Sequence, residues 1–158
     1  MKITMLAGVC LAGLSIAPVA AAANAQLEAP LHQFLDSFNK GDIKGAAATH
    51  LASGVTIIDE VPPHIWQGPK AFDGWVADLT SNDKAAEITE EQVALGRMTR
   101  EVVSGENAYV IARVTYSFKQ KGVAMHEPAQ MTFAMKKSGK AWKIAAWTWT
   151  GPDPTPVK

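Results

Sequence analysis

Between Asn107 and Thr150 the chain alternates apolar and polar side chains through three long stretches: NAYVIARVTYSFKQK, VAMHEPAQMTFAMKK and KAWKIAAWTWT. A period of two is that of a strand with two distinct faces. Lys121-Gly122 and the segment Lys136-Lys137-Ser138-Gly139-Lys140 put glycine where a tight hairpin needs positive φ. The region therefore predicts three antiparallel strands in a meander. One face of such a sheet is apolar and must be covered by the rest of the chain.

The first half supplies the cover. From Gln26 to Asn39, Leu27, Leu31, Phe34, Leu35 and Phe38 form one helical stripe. Gly41 stands where a helix-terminating glycine belongs, and Asp42 can cap a second short helix over Ile43 to His50. Val55 to Asp59 is β-branched and reads as a strand. Glu60 to His64 leaves the sheet, because Pro62 and Pro63 cannot donate to a ladder. Trp66-Gln67-Gly68-Pro69 leads into a third helix, with Phe72, Trp75, Val76 and Leu79 as its buried stripe and Ser81-Asn82-Asp83 as its end. From Glu87 to Val103 a weaker alternation slips, as it does at a β-bulge. Helix, helix, strand, helix, then four strands is an α+β architecture: helices packed on one face of a curved antiparallel sheet, with a conical cavity between them.

Residues 1–25 read as a leader. Lys2 is the only charge before Glu28, an apolar run follows, and Ala23-Asn24-Ala25 has the small-x-small form of a signal peptidase site. The run is interrupted by Pro18, which argues against a stable membrane anchor. A chain cleaved there starts at Gln26, is periplasmic or secreted, and has no cysteine. Residues 26–150 form one domain, and the proline-rich tail 151–158 is expected to be flexible. With 15 basic and 15 acidic side chains, the composition lacks the basic excess that nucleic-acid binding needs.

Four local patterns then carry a resemblance: FLDSFNKGDIKGAAATH, VTIIDE, IWQGPKAFDGWV and the closing AWKIAAWTWT. With the element order, they resemble the nuclear-transport-factor-2-like superfamily, whose members include ketosteroid isomerases, scytalone dehydratase and SnoaL-like polyketide cyclases. The resemblance implies the cone-shaped, cystatin-like sheet and helix arrangement, and homodimers built through the exposed sheet face. In the isomerases an aspartate at the end of the first strand is the general base, and Asp59 matches it by position. Their second aspartate aligns near Met131, and the first helix has no tyrosine, so steroid isomerase chemistry is not implied.

Asp59 and Glu60 follow an apolar strand and are expected to face opposite ways, one into the cavity. A carboxylate among apolar walls has a raised pKa and can act as a base near neutral pH; its bland role is to brace the proline turn. His64, past the prolines, is the expected acid–base partner of Asp59. No His-x-His or His-x-x-x-His spacing marks a metal site, and no cofactor motif is present. Trp66, Trp75, Tyr116, Met131 and Trp147 are the expected ligand-contacting residues, although tryptophan and methionine more often serve as core. Trp142 falls on the face opposite Trp147 and Trp149 if the last strand is regular. The leading reading is an exported domain that binds a small, mostly apolar molecule. The alternatives are an isomerase, dehydratase or cyclase with Asp59 as base, or a homodimeric interaction module.

Overall fold

The computed structural model describes the backbone of residues 19–158 and side chains from Ala25 onward. Residues 1–18 of the expected leader lie outside the described residues, and residues 19–25 begin the first helix. Three helices come first or interleave with short strands: α1 (Val19–Asn39), α2 (Ile43–Ala47), β1 (Val55–Ile58), β2 (Ile65–Gly68) and α3 (Ala71–Ala86). Then come β3 (Ile88–Ser104), β4 (Asn107–Gln120), β5 (Val123–Ser138), β6 (Ala141–Thr150) and β7 (Thr155–Pro156). The expected α+β class holds: the curved, unclosed sheet runs β2-β1-β6-β5-β4-β3, with β7 added on β5. All pairings are antiparallel except β1 with β6.

The meander forms as its alternation predicts, and β4 pairs with β5 without a break from Asn107↔Lys136 to Gln120↔Val123. The slipping pattern before it is a bulged strand, with register shifts at Thr89/Gln92, Leu95/Met98 and Met98/Arg100. Asp42 caps α2, its Oδ1 accepting from Gly45 N at 2.9 Å. At the end of α1, Asn39 clamps the helix to β3: its Nδ2 donates to Val93 O and its Oδ1 accepts from Val93 N, at 2.9 and 2.8 Å.

Four features differ from the sequence reading. Ile65–Gly68 is a strand, because the proline turn is a hairpin that returns the chain along β1. α3 runs past Ser81-Asn82-Asp83 to Ala86 and ends on Glu87 in the left-handed region. β6 is irregular: Ala134 faces Ala146 but Met135 faces Ile144, so Ala145 is extra and the side-chain parity flips. Trp142, Ile144 and Trp147 are consequently all buried on the same side. Finally, the tail is not free. β5 extends beyond the partner length of β6, and the chain after Thr150 folds back to pair Met125 and His126 with Pro156 and Thr155. Val157 N donates to Ala124 O at 2.9 Å.

The core lies between the concave sheet face and the helices. Leu27, Leu31, Phe34 and Leu35 of α1 and Phe72 and Trp75 of α3 meet Val110, Ala112, Phe133, Met135, Ile144 and Trp147 of the sheet. Toward α2, Phe34, Phe72 and Trp147 close the packing on the core side of His50, and a second cavity of about 300 Å³ lies against His50, Phe72, Ala47, Leu51 and Val55. His50 sits with its ring centroid 4.9 Å from Phe34 and 4.7 Å from Phe72, edge-on or tilted to both. Away from α2 the helices and sheet diverge.

Candidate functional site

The divergence leaves a cavity of about 220 Å³. Its apolar wall comes from Phe34, Phe38, Trp75, Leu79, Met131, Trp147 and Trp149, and Pro154 of the tail borders it. Its polar wall is acidic: Asp59 and Glu60 from the end of β1, Asp83 from α3 and Glu91 from β3, with Tyr116 beside them.

Each acid has a distinct setting. The Asp59 Oδ2 accepts from the Trp75 indole Nε1 at 2.8 Å, and Oδ1 lies 3.4 Å from Val61 N. Burial pushes the Asp59 carboxyl above its ordinary pKa, while the Trp75 bond holds it back. Glu60, still accessible to solvent, is pushed up to about 7 by burial and by the neighbouring carboxylates of Glu127 and Asp59. Asp83 rises to about 6, from burial and then from Glu91. Tyr116 donates to Glu91 Oε2 at 2.8 Å, and burial with that carboxylate raises its phenol pKa as well.

Behind Glu60, Glu127 of β5 is completely buried. Its Oε1 accepts from the Trp149 indole at 2.7 Å, among the described residues no N–H reaches its Oε2, and its other hydrogen-bonding neighbour is the Glu60 carboxyl. Burial raises this carboxyl too, against the pull of the Trp149 bond. Gly151 packs directly on it, and a Cβ at that position would overlap Glu127 Oε1 and crowd Ala129.

The expected site residues divide. Asp59, Trp75, Tyr116, Met131 and Trp147 line the cavity, and Glu60 joins Asp59 there because β1 stops at Ile58 and strict alternation stops with it. His64 does not line it. Residue 64 closes the hairpin turn at φ 73°, is exposed, and its Nδ1 lies 3.3 Å from the backbone oxygen of Asp59, so the expected acid–base pair does not form. Trp66 is also outside: β2 turns it toward α3, where its indole donates to Asp78 Oδ2 at 2.8 Å. Asp83, Glu91 and Glu127 are additions. Of these Glu127 carried a usable signal, since its position shares parity with Met125, Met131, Phe133 and Met135.

His50 looks like chemistry and is not. Its Nδ1–H donates to Ala46 O at 3.0 Å and its Nε2 accepts from the Trp147 indole at 3.2 Å. Burial lowers it to about 4, so it stays neutral with both nitrogens satisfied. Among the described residues no three His, Cys, Asp or Glu side chains are disposed to hold a metal ion.

Residues 27–149 match the SnoaL-like domain model. The chain belongs to the SnoaL-like domain family. Solved structures agree on the fold. The crystal structure of LinA superposes with a TM-score of 0.71 at 16% identity, covering 87% of this chain and 91% of that one. The hexachlorocyclohexane dehydrochlorinase LinA-type3 from Novosphingobium barchaimii LL02 gives 0.70 at 16%, covering 87% and 92%. A ketosteroid isomerase-like protein from Erwinia carotovora atroseptica SCRI1043 gives 0.62 at 19%, covering 82% and 96%. No curated protein sequence matches this SnoaL-like chain at a significant level.

Proposed function

We propose that this SnoaL-like domain binds a small, mostly apolar molecule in the cavity between sheet and helices. The observation that carries the reading is the union of an aromatic wall with Asp59, a carboxylate on the cavity wall held by the Trp75 indole N–H and the Val61 backbone N–H. Apolar walls supply affinity and a few fixed polar groups supply orientation, the usual division in small-molecule sites. The volume, about 220 Å³, falls below the roughly 300–1,000 Å³ typical of drug-sized ligands, so the occupant is small.

A second reading is acid–base catalysis with Asp59 as the proton acceptor. Its support is the adjacency of Asp59 to Glu60, which is pushed up to about 7 and so holds a proton for part of the time at neutral pH. A carboxylate beside a carboxylic acid is a base beside an acid. Neighbours named for a dehydrochlorinase and for likeness to ketosteroid isomerase are in keeping with it.

Asp59→Asn separates the two readings. It keeps the shape and still accepts from Trp75. In a binding protein, affinity for a hydrophobic probe changes little. In an enzyme, turnover falls by about two to four orders of magnitude with the melting temperature intact. A lowered melting temperature with unchanged probe binding returns Asp59 to a purely structural role.

We propose export on the sequence alone, from Lys2, the apolar run and the Ala23-Asn24-Ala25 pattern. Mass spectrometry of the exported protein should show Gln26 as the first residue, and retention of residues 1–25 would defeat this.

A further inference from the structure

The cavity's polar wall carries one sign of charge. Asp59, Glu60, Asp83 and Glu91 line it, and among the described residues no lysine, arginine or histidine does. The nearest outside groups do little to change this: Asp153 adds its negative charge toward Glu60 and Glu127, and only exposed His64 acts on Asp59 in the opposite sense. Carboxyls gathered in an apolar space raise one another's proton affinity and disfavour the fold when ionised. A chain gains nothing in stability from such a cluster.

A second observation sets this apart from a chance concentration of acids. Glu127 is fully buried behind the wall and its side chain is hydrogen-bonded to Glu60, which donates only while it holds a proton. When Glu60 ionises, the buried Glu127 Oε2 is left without a donor, which is costly. Gly151 packs on Glu127 Oε1, and Glu60 links the pair to the cavity. The remaining wall consists of aromatic faces, Phe34, Phe38, Trp75, Tyr116, Trp147 and Trp149, which attract cations through their ring quadrupoles. The acids, the Glu60–Glu127 pair that lacks a donor once Glu60 ionises, and the aromatic faces all favour the same partner, a positively charged hydrogen-bond donor with an apolar remainder.

We infer that the cavity takes a protonated amine carried on a compact body of one or two rings, with the ammonium group set among Asp59, Glu60 and Glu91 and the rings against the tryptophans. The inference rests on the small-molecule reading above and narrows its ligand class. An entering cation favours the ionised form of every carboxyl near it, so acids that held a proton in the empty cavity release it to solvent when the amine binds.

The test uses two isosteric series: phenethylamine, 2-phenylethanol and phenylacetate, and the corresponding naphthyl amine, alcohol and acid. Titration calorimetry at pH 7 in phosphate and in Tris reads both affinity and proton release. The amines should bind at least about tenfold more tightly than the alcohols, with the acids weakest and with a heat that depends on the buffer. In Glu60→Gln and Glu91→Gln that preference should shrink by a similar factor while alcohol affinity holds. Alcohols that match or beat the amines would overturn the amine assignment and leave the apolar-ligand reading standing. An amine preference that survives both substitutions would place the attraction elsewhere on the surface and overturn it too. Failure of every probe to bind would defeat the inference together with the binding reading beneath it.

Discussion

His50 and Glu127 are both buried beside the concave face of one sheet, with exposures of 6% and 0%. At the end near α2, every polar atom of His50 has a use: Nδ1 donates to the helix carbonyl of Ala46, Nε2 receives the Trp147 indole, and Phe34 and Phe72 pack on the ring. At the end near the tail, Glu127 receives one indole N–H and, beyond it, only the carboxyl of Glu60, a donor when protonated and a repelling charge when not. The difference shows where the chain is optimised for stability and where it is not. Burial of a polar group is tolerated when its bonds are complete. Where completion fails in an otherwise well-packed domain, the site is the place to look for function.

The largest test of the contrast is cavity formation. Ile144, wholly buried at the closed end, should lose about 2–5 kcal/mol on Ile144→Ala, because the void it leaves is surrounded by fixed neighbours. Met131 is nearly as buried but borders the existing cavity. Met131→Ala enlarges a space already present, and should fall at the low end of the same roughly 2–5 kcal/mol range. Urea denaturation of the two variants reads the difference. An Ile144→Ala loss below about 1 kcal/mol would show that the closed end is not tightly packed.

The next test exchanges the two polar groups. His50→Leu strips the acceptor from the Trp147 indole and the donor from Ala46 O, and should destabilise by about 1–3 kcal/mol. Glu127→Gln keeps an oxygen for Trp149 and supplies an amide donor where Oε2 stands. It should leave stability unchanged or raise it above pH 7. Equal losses in the two variants would remove the distinction between a completed and an uncompleted site.

How far the sequence foretold this depends on what kind of pattern each part rests on. The meander and the stripe of α1 repeat over many residues, so their periodicity outweighs local exceptions. β2 has four residues beside two prolines, too few to show a period, and only its pairing with β1 makes it a strand. The single extra residue at Ala145 inverts the face of Trp142, and no local composition marks it. The tail looks free because prolines cannot extend a ladder, yet the start of β5, paired with β4 but not with β6, gives it an edge to join. At the site, Asp59 was legible from its position at a strand end. His64 misled because closeness in sequence was read as closeness of side chains across a tight turn. Glu127 is legible only through its parity in β5, since a charged residue in an alternating strand ordinarily faces solvent.

The smallest expected effect is in pH dependence, and it sets the two ends against each other. Burial, with some help from the charge of Lys143, lowers His50 from 6.5 to about 4. Between those values the unfolded chain binds a proton that the folded one refuses, so this group makes stability rise with pH across that window. Asp83, raised from 3.8 to about 6, does the reverse. Folded Asp83 keeps a proton that the unfolded chain has lost, so its contribution falls as pH climbs from about 4 to about 6. Glu60 acts in the same sense as Asp83, from 4.5 up to about 7. In the natural chain the opposing slopes partly cancel. His50→Leu leaves the acids alone, and its stability should decline steadily from pH 4.5 to 7 relative to its own value at the acid end. Asp83→Asn, in which the His50 and Glu60 slopes come close to cancelling, should show a flatter profile than the natural chain. Each should depart from the natural profile by about 1–2 kcal/mol across the window. Urea midpoints at half-unit steps resolve this. If the His50→Leu profile ran parallel to that of the natural chain, His50 would not be held neutral, and the closed end would share the strain that the cavity end carries.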